Sequence, residues 1–122
     1  MNKLVLLCLL FSASTVFAEE FYTAGESYQG QPIACLTEKD ASDLAEAYVH
    51  EGLEELNNVL VQKSAKNLCV AGVPVTFTVI RSVSTHKDKE TVYVIEIMSN
   101  GIYYIVDPHP VATRNHRKVI PV

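Results

Sequence analysis

The sequence predicts an α+β fold in which one long helix packs on a three- to four-stranded antiparallel β-meander, with a disulfide bracing the domain. Apolar residues recur at helical spacing from Ala41 to Leu60. After Cys69, apolar and polar residues alternate instead, which is the pattern of a half-buried strand. The dipeptide Asn100-Gly101 then separates two apolar stretches, as in a β-hairpin.

The N-terminus has the composition of a cleavable secretory signal peptide. Lys3 gives a positive start, residues 4–11 are uninterruptedly apolar, and the small residue Ala18 precedes the expected cut. The apolar stretch is shorter than the ~20 residues that cross a bilayer. We therefore expect residues 1–18 to be removed. We expect residues 19–122 to form a single small domain that is exported to the periplasm or the extracellular space, with no transmembrane segment.

Removal of this leader would leave two cysteines, Cys35 and Cys69. An even pair in an exported domain indicates a disulfide, so we predict that these two residues are bonded. The bond would limit the helix, because a straight helix to residue 65 leaves too few residues to return to Cys69. Either the helix ends by about residue 60 or it bends at Gly52; the alternative is that the disulfide does not form.

A capping motif at Thr37 marks the start of the helix. The Thr37 hydroxyl is placed to accept from the backbone N–H of Asp40, and the Asp40 carboxylate is placed to reach back. The apolar stripe of the predicted helix faces the sheet and continues for several turns. It consists of Ala41, Ala45, Tyr48, Gly52, Leu56 and Val59, with Val49 and Leu60 beside it.

Three strands are predicted after the second cysteine. They span residues 74–84, 91–99 and 102–107, with a charged loop at 85–90 and a short edge strand at 117–122 as a fourth. The lead-in at residues 19–34 either adds an edge strand or lies over the core.

A two-residue turn at Asn100-Gly101 fixes the predicted register of the hairpin. Ser99 would face Ile102, Ile97 would face Tyr104, and Ile95 would face Val106. In that register Ile95 and Ile97 lie on the face that packs against the helix.

The opposite face of the hairpin is also apolar, which makes it a candidate interaction surface. Its predicted members are Val94, Met98, Tyr103 and Ile105. The alternative is that residues 19–34 or the C-terminal tail cover this face.

Charge and motifs exclude several classes of function. The net charge of −4 argues against nucleic-acid binding, which needs a large basic face. The sequence has no HExxH, GxSxG, P-loop or CxxC motif. The histidines have no metal-ligand spacing, so we predict no metal, no cofactor and no catalytic residue. We expect His50 on the polar flank of the helix, His86 in the charged loop, and His109 and His116 beside the basic tail.

About twenty residues resemble the cystatin family of cysteine-protease inhibitors. The resemblance consists of Val70-Ala71-Gly72 between a helix and an antiparallel meander, where that family has a glutamine-led Val-x-Gly loop that enters the protease cleft. The position of the glutamine holds Asn67 or Leu68 in this chain, so we assign no family from it.

The sequence therefore favours a non-enzymatic module that binds or inhibits another protein. Two alternatives come from other classes. One is a structural component of a cell-envelope assembly. The other is a thiol-dependent enzyme that uses Cys35 or Cys69, which would require one of them to be a free thiol beside a histidine.

Overall fold

The structure, a computed structural model, describes residues 21–112. The predicted leader, the tail histidine His116 and the predicted edge strand at 117–122 lie outside the described residues. In chain order the elements are β1 (Tyr22–Thr23), β2 (Ser27–Gly30), β3 (Ile33–Cys35), α1 (Glu38–Glu51), α2 (Leu53–Ala65), β4 (Cys69–Val70), β5 (Val75–Lys87), β6 (Thr91–Met98), β7 (Ile102–Asp107) and β8 (Val111–Ala112). None of the helices in residues 21–112 is long and apolar enough to cross a membrane.

Six strands form one curled antiparallel sheet in the order β2-β5-β6-β7-β3-β4, and β1 and β8 pair in a separate parallel ribbon. The long strand β5 has register shifts against β6 between Val79 and Arg81 and between Ser82 and Ser84. Shifts of this kind bend a strand and increase its twist, which accounts for the curl. The helices pack on one face of the sheet.

The prediction of a three- to four-stranded sheet is wrong. The additional strands β2, β3 and β4 have four, three and two residues, respectively. Alternation of apolar and polar residues identifies a strand over about four to eight residues, so β3 and β4 are too short to show it and β2 only just reaches that length. They become strands because each lies beside a longer partner that supplies hydrogen bonds.

The prediction of one long helix is also wrong, because the helix is interrupted at Gly52. This residue has φ 93° and ψ −172°, a conformation open almost only to glycine. Its N–H donates to the Tyr48 carbonyl and ends α1, and α2 begins at Leu53. Lys63, near the end of α2, contacts Asp40 at the start of α1, so the two helices pack side by side in antiparallel directions. The bend at Gly52 returns the chain to its second cysteine.

The predicted cap of α1 is confirmed at its first bond. The Asp40 N–H donates to the Thr37 side-chain oxygen at 3.1 Å. The second bond differs from the expectation, since the Thr37 hydroxyl itself donates to the Asp40 carboxylate at 2.8 Å. The other oxygen of that carboxylate accepts from Lys63 at 2.8 Å, so the cap is joined to the second helix.

The predicted disulfide between Cys35 and Cys69 is confirmed. The two residues lie directly opposite each other on β3 and β4, with Cα atoms 4.0 Å apart. Both are buried. The bond therefore fixes the edge strand β4, which follows the helices, onto the strand that precedes them.

The predicted hairpin register is wrong by one residue. Met98 lies opposite Ile102, so the connection has three residues, 99–101, rather than two. The Ser99 N–H donates to the Gly101 carbonyl at 2.9 Å across this loop. Since side chains alternate between faces, the shift changes which residues of β6 share a face with which residues of β7.

As a consequence, β6 presents its other face to the helices. Val92 and Val94 pack on the helix side with Tyr104, whereas Ile95 and Ile97 point to the opposite side. The helix-side core also contains Leu44, which is fully buried and which the predicted helical stripe left out. The sequence of β6 could not indicate which face packs on the helices, because both faces of this strand are apolar.

Candidate functional site

The predicted interaction surface does not form one exposed face. Val94 is buried in the helix-side core, and Ile105 is buried in the core on the opposite side of the sheet. Met98 is half exposed, and Tyr103 is partly buried on the same side as Ile105. The structure thus brings Tyr103 and Ile105 together and separates them from Val94.

Both ends of the described chain cover part of the sheet face opposite the helices. Tyr22 and Tyr28 pack against Phe77 there, and Val111 joins them. The two tyrosine rings meet edge to face with centroids 4.8 Å apart. This covering was the alternative to an open interaction surface, and it accounts for much of the apolar character of this face.

One part of this face remains open as a groove of about 200 Å³, here called the outer groove. Its lining is mostly apolar and contains no charged side chain. Val70 and Val73 at its rim are 48% and 46% exposed, respectively. The lining residues are Pro32, Ala34, Val70, Val73, Val75, Ile97, Ser99 and Tyr103.

The disulfide positions one wall of the outer groove. Cys69 is held opposite Cys35, so the next residue, Val70, lies opposite Ala34. On the hairpin side, the Ser99 hydroxyl donates to the Thr76 carbonyl at 2.9 Å and fixes the loop against β5. Two independent restraints therefore hold the groove in shape.

A second group of side chains lies on the helix side, at the far end of β5. This group, here called the histidine–carboxylate cluster, comprises Glu46, His50, Ser84, His86 and Asp88. His50 Nε2 lies 2.8 Å from Glu46 Oε1, and His50 Nδ1 lies 2.6 Å from Asp88 Oδ2. His86 Nδ1 lies 2.5 Å from Glu46 Oε2, and its Nε2 lies 2.9 Å from the Ser84 hydroxyl.

The two histidines have different protonation requirements. Both ring nitrogens of His50 face carboxylates, which cannot donate when ionised, so both bonds require an imidazolium. His86 faces one carboxylate and one hydroxyl, and a neutral ring can satisfy both. The hydrogen bond to Asp88, followed by that to Glu46, raises the pKa of His50. Hydrogen bonds from His86 and then His50 lower the pKa of Glu46.

The cluster has limited chemical scope. Ser84, His86 and Glu46 form a hydroxyl–imidazole–carboxylate chain, but a nucleophile also needs an adjoining substrate site. Ser84 lines neither the outer groove nor a second cavity that Glu46 borders. Within residues 21–112, no group of three or more His, Cys, Asp or Glu residues is arranged to hold a metal ion. The contacts of the cluster join α1 to the β5–β6 region.

His86 does not lie in a charged loop as predicted, because β5 continues to Lys87. His109 contacts its predicted neighbour, with Nδ1 2.7 Å from Asp107 Oδ1. The same carboxylate accepts from the Tyr22 hydroxyl at 2.8 Å. Burial, and then the charge of Asp107, raise the pKa of Tyr22.

The disulfide bears on the alternative that the protein is a thiol-dependent enzyme, which requires a free cysteine thiol. Cys35 and Cys69 are bonded to each other, so neither is a free thiol in this structure.

Sequence reasoning missed most of the outer groove. It identified Tyr103, but not the exposed valines Val70 and Val73. A usable indication was present, since residues 70–75 are almost entirely apolar yet precede the alternating pattern of β5. An apolar connection without strand periodicity is a candidate for an exposed contact surface.

Comparison of this chain with protein-family models, with curated proteins and with solved structures finds no match.

Proposed function

We propose that this protein is a non-enzymatic binding module that holds an uncharged, apolar segment of another protein in the outer groove. The observation that carries the proposal is an open apolar groove held between the disulfide-fixed strand β4 and the hairpin. Exposed apolar side chains such as Val70 and Val73 at its rim provide surface that a partner can cover.

The lining determines the chemistry of the partner. A charged side chain entering the groove would lose hydration without meeting an opposite charge, which is unfavourable. Aliphatic side chains would instead bury their surface against the exposed Val70 and Val73. Within residues 21–112 the Tyr103 hydroxyl has no hydrogen-bond partner, so it is available to a main-chain polar group of the bound segment.

The proposal includes export. Residues 1–18 have the pattern of a signal peptide, and a disulfide between Cys35 and Cys69 is typical of proteins that fold in an oxidising compartment. Binding would therefore take place in the periplasm or outside the cell. N-terminal sequencing of the protein purified from its producing cells tests this part separately, with Glu19 expected as the first residue.

Selection from a phage-displayed random peptide library tests the groove. We expect enrichment of uncharged apolar peptides, with NMR shift changes on binding concentrated at the groove residues. Val73→Asp should abolish binding, since it places a charge at the rim. Val61→Asp is the matched control, because Val61 is 68% exposed on α2, on the other side of the sheet, and should leave binding unchanged.

The proposal would be overturned if the library gave no enrichment, or if Val73→Asp and Val61→Asp bound the selected peptides equally well.

A further inference from the structure

We propose that the loop between β5 and β6, residues 88–90, is a pH-dependent clasp on the C-terminal end of α1, closed while His50 is an imidazolium and loosened when His50 loses its proton. The inference concerns the histidine–carboxylate cluster and is independent of the outer groove.

The loop takes the place of a helix cap. Because α1 ends at Glu51, the carbonyls of Val49 and His50 have no partners within the helix. The Lys89 N–H donates to the Val49 carbonyl at 3.3 Å, and the Lys89 ammonium donates to the His50 carbonyl at 3.2 Å. A cation at this position also suits the negative end of the helix dipole. The clasp therefore satisfies the end of α1 with groups from the sheet layer.

His50 provides the third contact between the helix and the loop. Its Nδ1 lies 2.6 Å from Asp88, one residue before Lys89, and its Nε2 lies 2.8 Å from Glu46 on the same helix. A neutral imidazole has a single N–H. When His50 loses a proton, one nitrogen presents its lone pair to a carboxylate and one of the two contacts is lost. The ring also loses its charge, so its ion-pair attraction to Asp88 on the loop is lost whichever contact remains.

The charged groups that face His50 are two carboxylates and one ammonium, and the carboxylates are the ones that contact its ring. Glu46 faces His50 from α1, Asp88 and Lys89 face it from the loop, and His86 on β5 shares the Glu46 carboxylate. Two carboxylates therefore surround His50 directly, and their hydrogen bonds raise its pKa above the ordinary value. A group with a raised pKa in the folded state stabilises the clasp at low pH and loses this effect as pH rises through the raised pKa.

An NMR titration of the folded protein tests the clasp. We expect the His50 ring signals to titrate above the ordinary value of about 6.5. The Lys89 amide signal should move with the same midpoint. Hydrogen-exchange protection of that amide should fall about two- to fivefold from below to above the midpoint, the size expected of an exposed ion pair.

Three variants separate the clasp from a general pH effect. His50→Gln should abolish the pH response at Lys89. Asp88→Asn should bring the His50 midpoint back toward its ordinary value, whereas Glu90→Gln, which changes an acid in the same loop, should not. His109→Gln, at the other end of the fold, should leave the response intact. A Lys89 amide that does not follow the His50 titration, or an Asp88→Asn variant with an unchanged midpoint, would overturn the proposal.

Discussion

Lys63 shows how a single residue joins two elements in this protein. Its ammonium lies 2.8 Å from Asp40 and 3.0 Å from Asp43, and the Lys63 and Asp40 side chains are only 15% and 14% exposed, respectively. Asp40 also accepts from the Thr37 hydroxyl, so the cap of α1 and the end of α2 share one carboxylate. Partly buried charges of this kind are costly to leave unpaired.

We expect Lys63→Met to destabilise the protein by about 1–2 kcal/mol at neutral pH, because it leaves Asp40 without its cation. The hydrogen bond from Lys63 lowers the pKa of Asp40. A lowered pKa contributes stability that is present above the ordinary value of the carboxyl and is lost as pH falls through the lowered one. The difference between variant and wild type should therefore shrink on acidification.

Urea unfolding at neutral pH and at about pH 3 measures this difference. Lys66→Met is the control, because Lys66 is exposed at the same end of α2 and should show little change at either pH. An equal loss in both variants would assign the effect to the helix end rather than to the contact with Asp40.

The helical region shows at the scale of an element why local sequence could not determine the fold. The apolar spacing continues across Gly52, so periodicity alone predicted one helix. The disulfide argument nevertheless identified Gly52 as a point where the chain could bend. The choice between a continuous and a broken helix depends on whether packing of α2 against α1 outweighs the lost helical hydrogen bonds, and this is a tertiary interaction.

The substitution Gly52→Ala distinguishes a continuous helix from a broken one by the sign of the change in unfolding free energy. In a continuous helix alanine would stabilise by about 1 kcal/mol. At φ 93° and ψ −172° it should instead destabilise by about 1–3 kcal/mol. An added Cβ would meet no atom within 4 Å, so the cost is one of backbone conformation.

Thermal unfolding measures whether Gly52→Ala lowers or raises the melting temperature relative to the wild type. Gly30→Ala is a suitable control, because its Cβ would come no closer than 4.0 Å to Phe77 and the backbone at Gly30 has no positive φ. A higher melting temperature for Gly52→Ala would contradict the broken helix.

The hairpin gives a second example at the same scale. The sequence places β6, β7 and the intervening turn correctly to within a residue. The three-residue loop, however, shifts the register by one position and exchanges the faces of β6 relative to the prediction. Because β6 carries apolar residues on both faces, its local pattern does not favour either face for the helix side. The orientation of β6 was decided by packing, with one face against the helices and the other against Phe77.

At the scale of the whole molecule, the disulfide connects the segment before the helices to the segment after them. It closes a sequence separation of 34 residues that contains both helices. The disulfide also holds one wall of the outer groove in place, because it keeps β4 against β3. Stability and the proposed binding site therefore depend on the same bond.

We expect the double variant Cys35→Ala, Cys69→Ala to lose about 3–4 kcal/mol of unfolding free energy, as the chain-entropy model gives for a loop of this length. Chemical denaturation of the variant and of the oxidised protein measures the loss. A thiol titration of the native protein, before and after reduction in denaturant, is the control. Two reactive thiols in the native protein would contradict the disulfide and restore the thiol-dependent alternative.

The sequence by itself determined the features that depend on local patterns or on composition. These are the cap at Thr37, the helical character of the region that follows it, the main strands of the meander and the pairing of Cys35 with Cys69. A cap, a periodicity or an even cysteine count is expressed within a few residues or by counting, so each can be recognised without coordinates.

The tertiary structure decided the features in which distant segments compete for the same partners. These are the break at Gly52, the short strands β2, β3 and β4, the face that β6 presents to the helices, and the assembly of the outer groove. Each depends on which of two similar local arrangements packs better against the rest of the chain. That preference arises from contacts between segments far apart in sequence, and so it is absent from any local pattern.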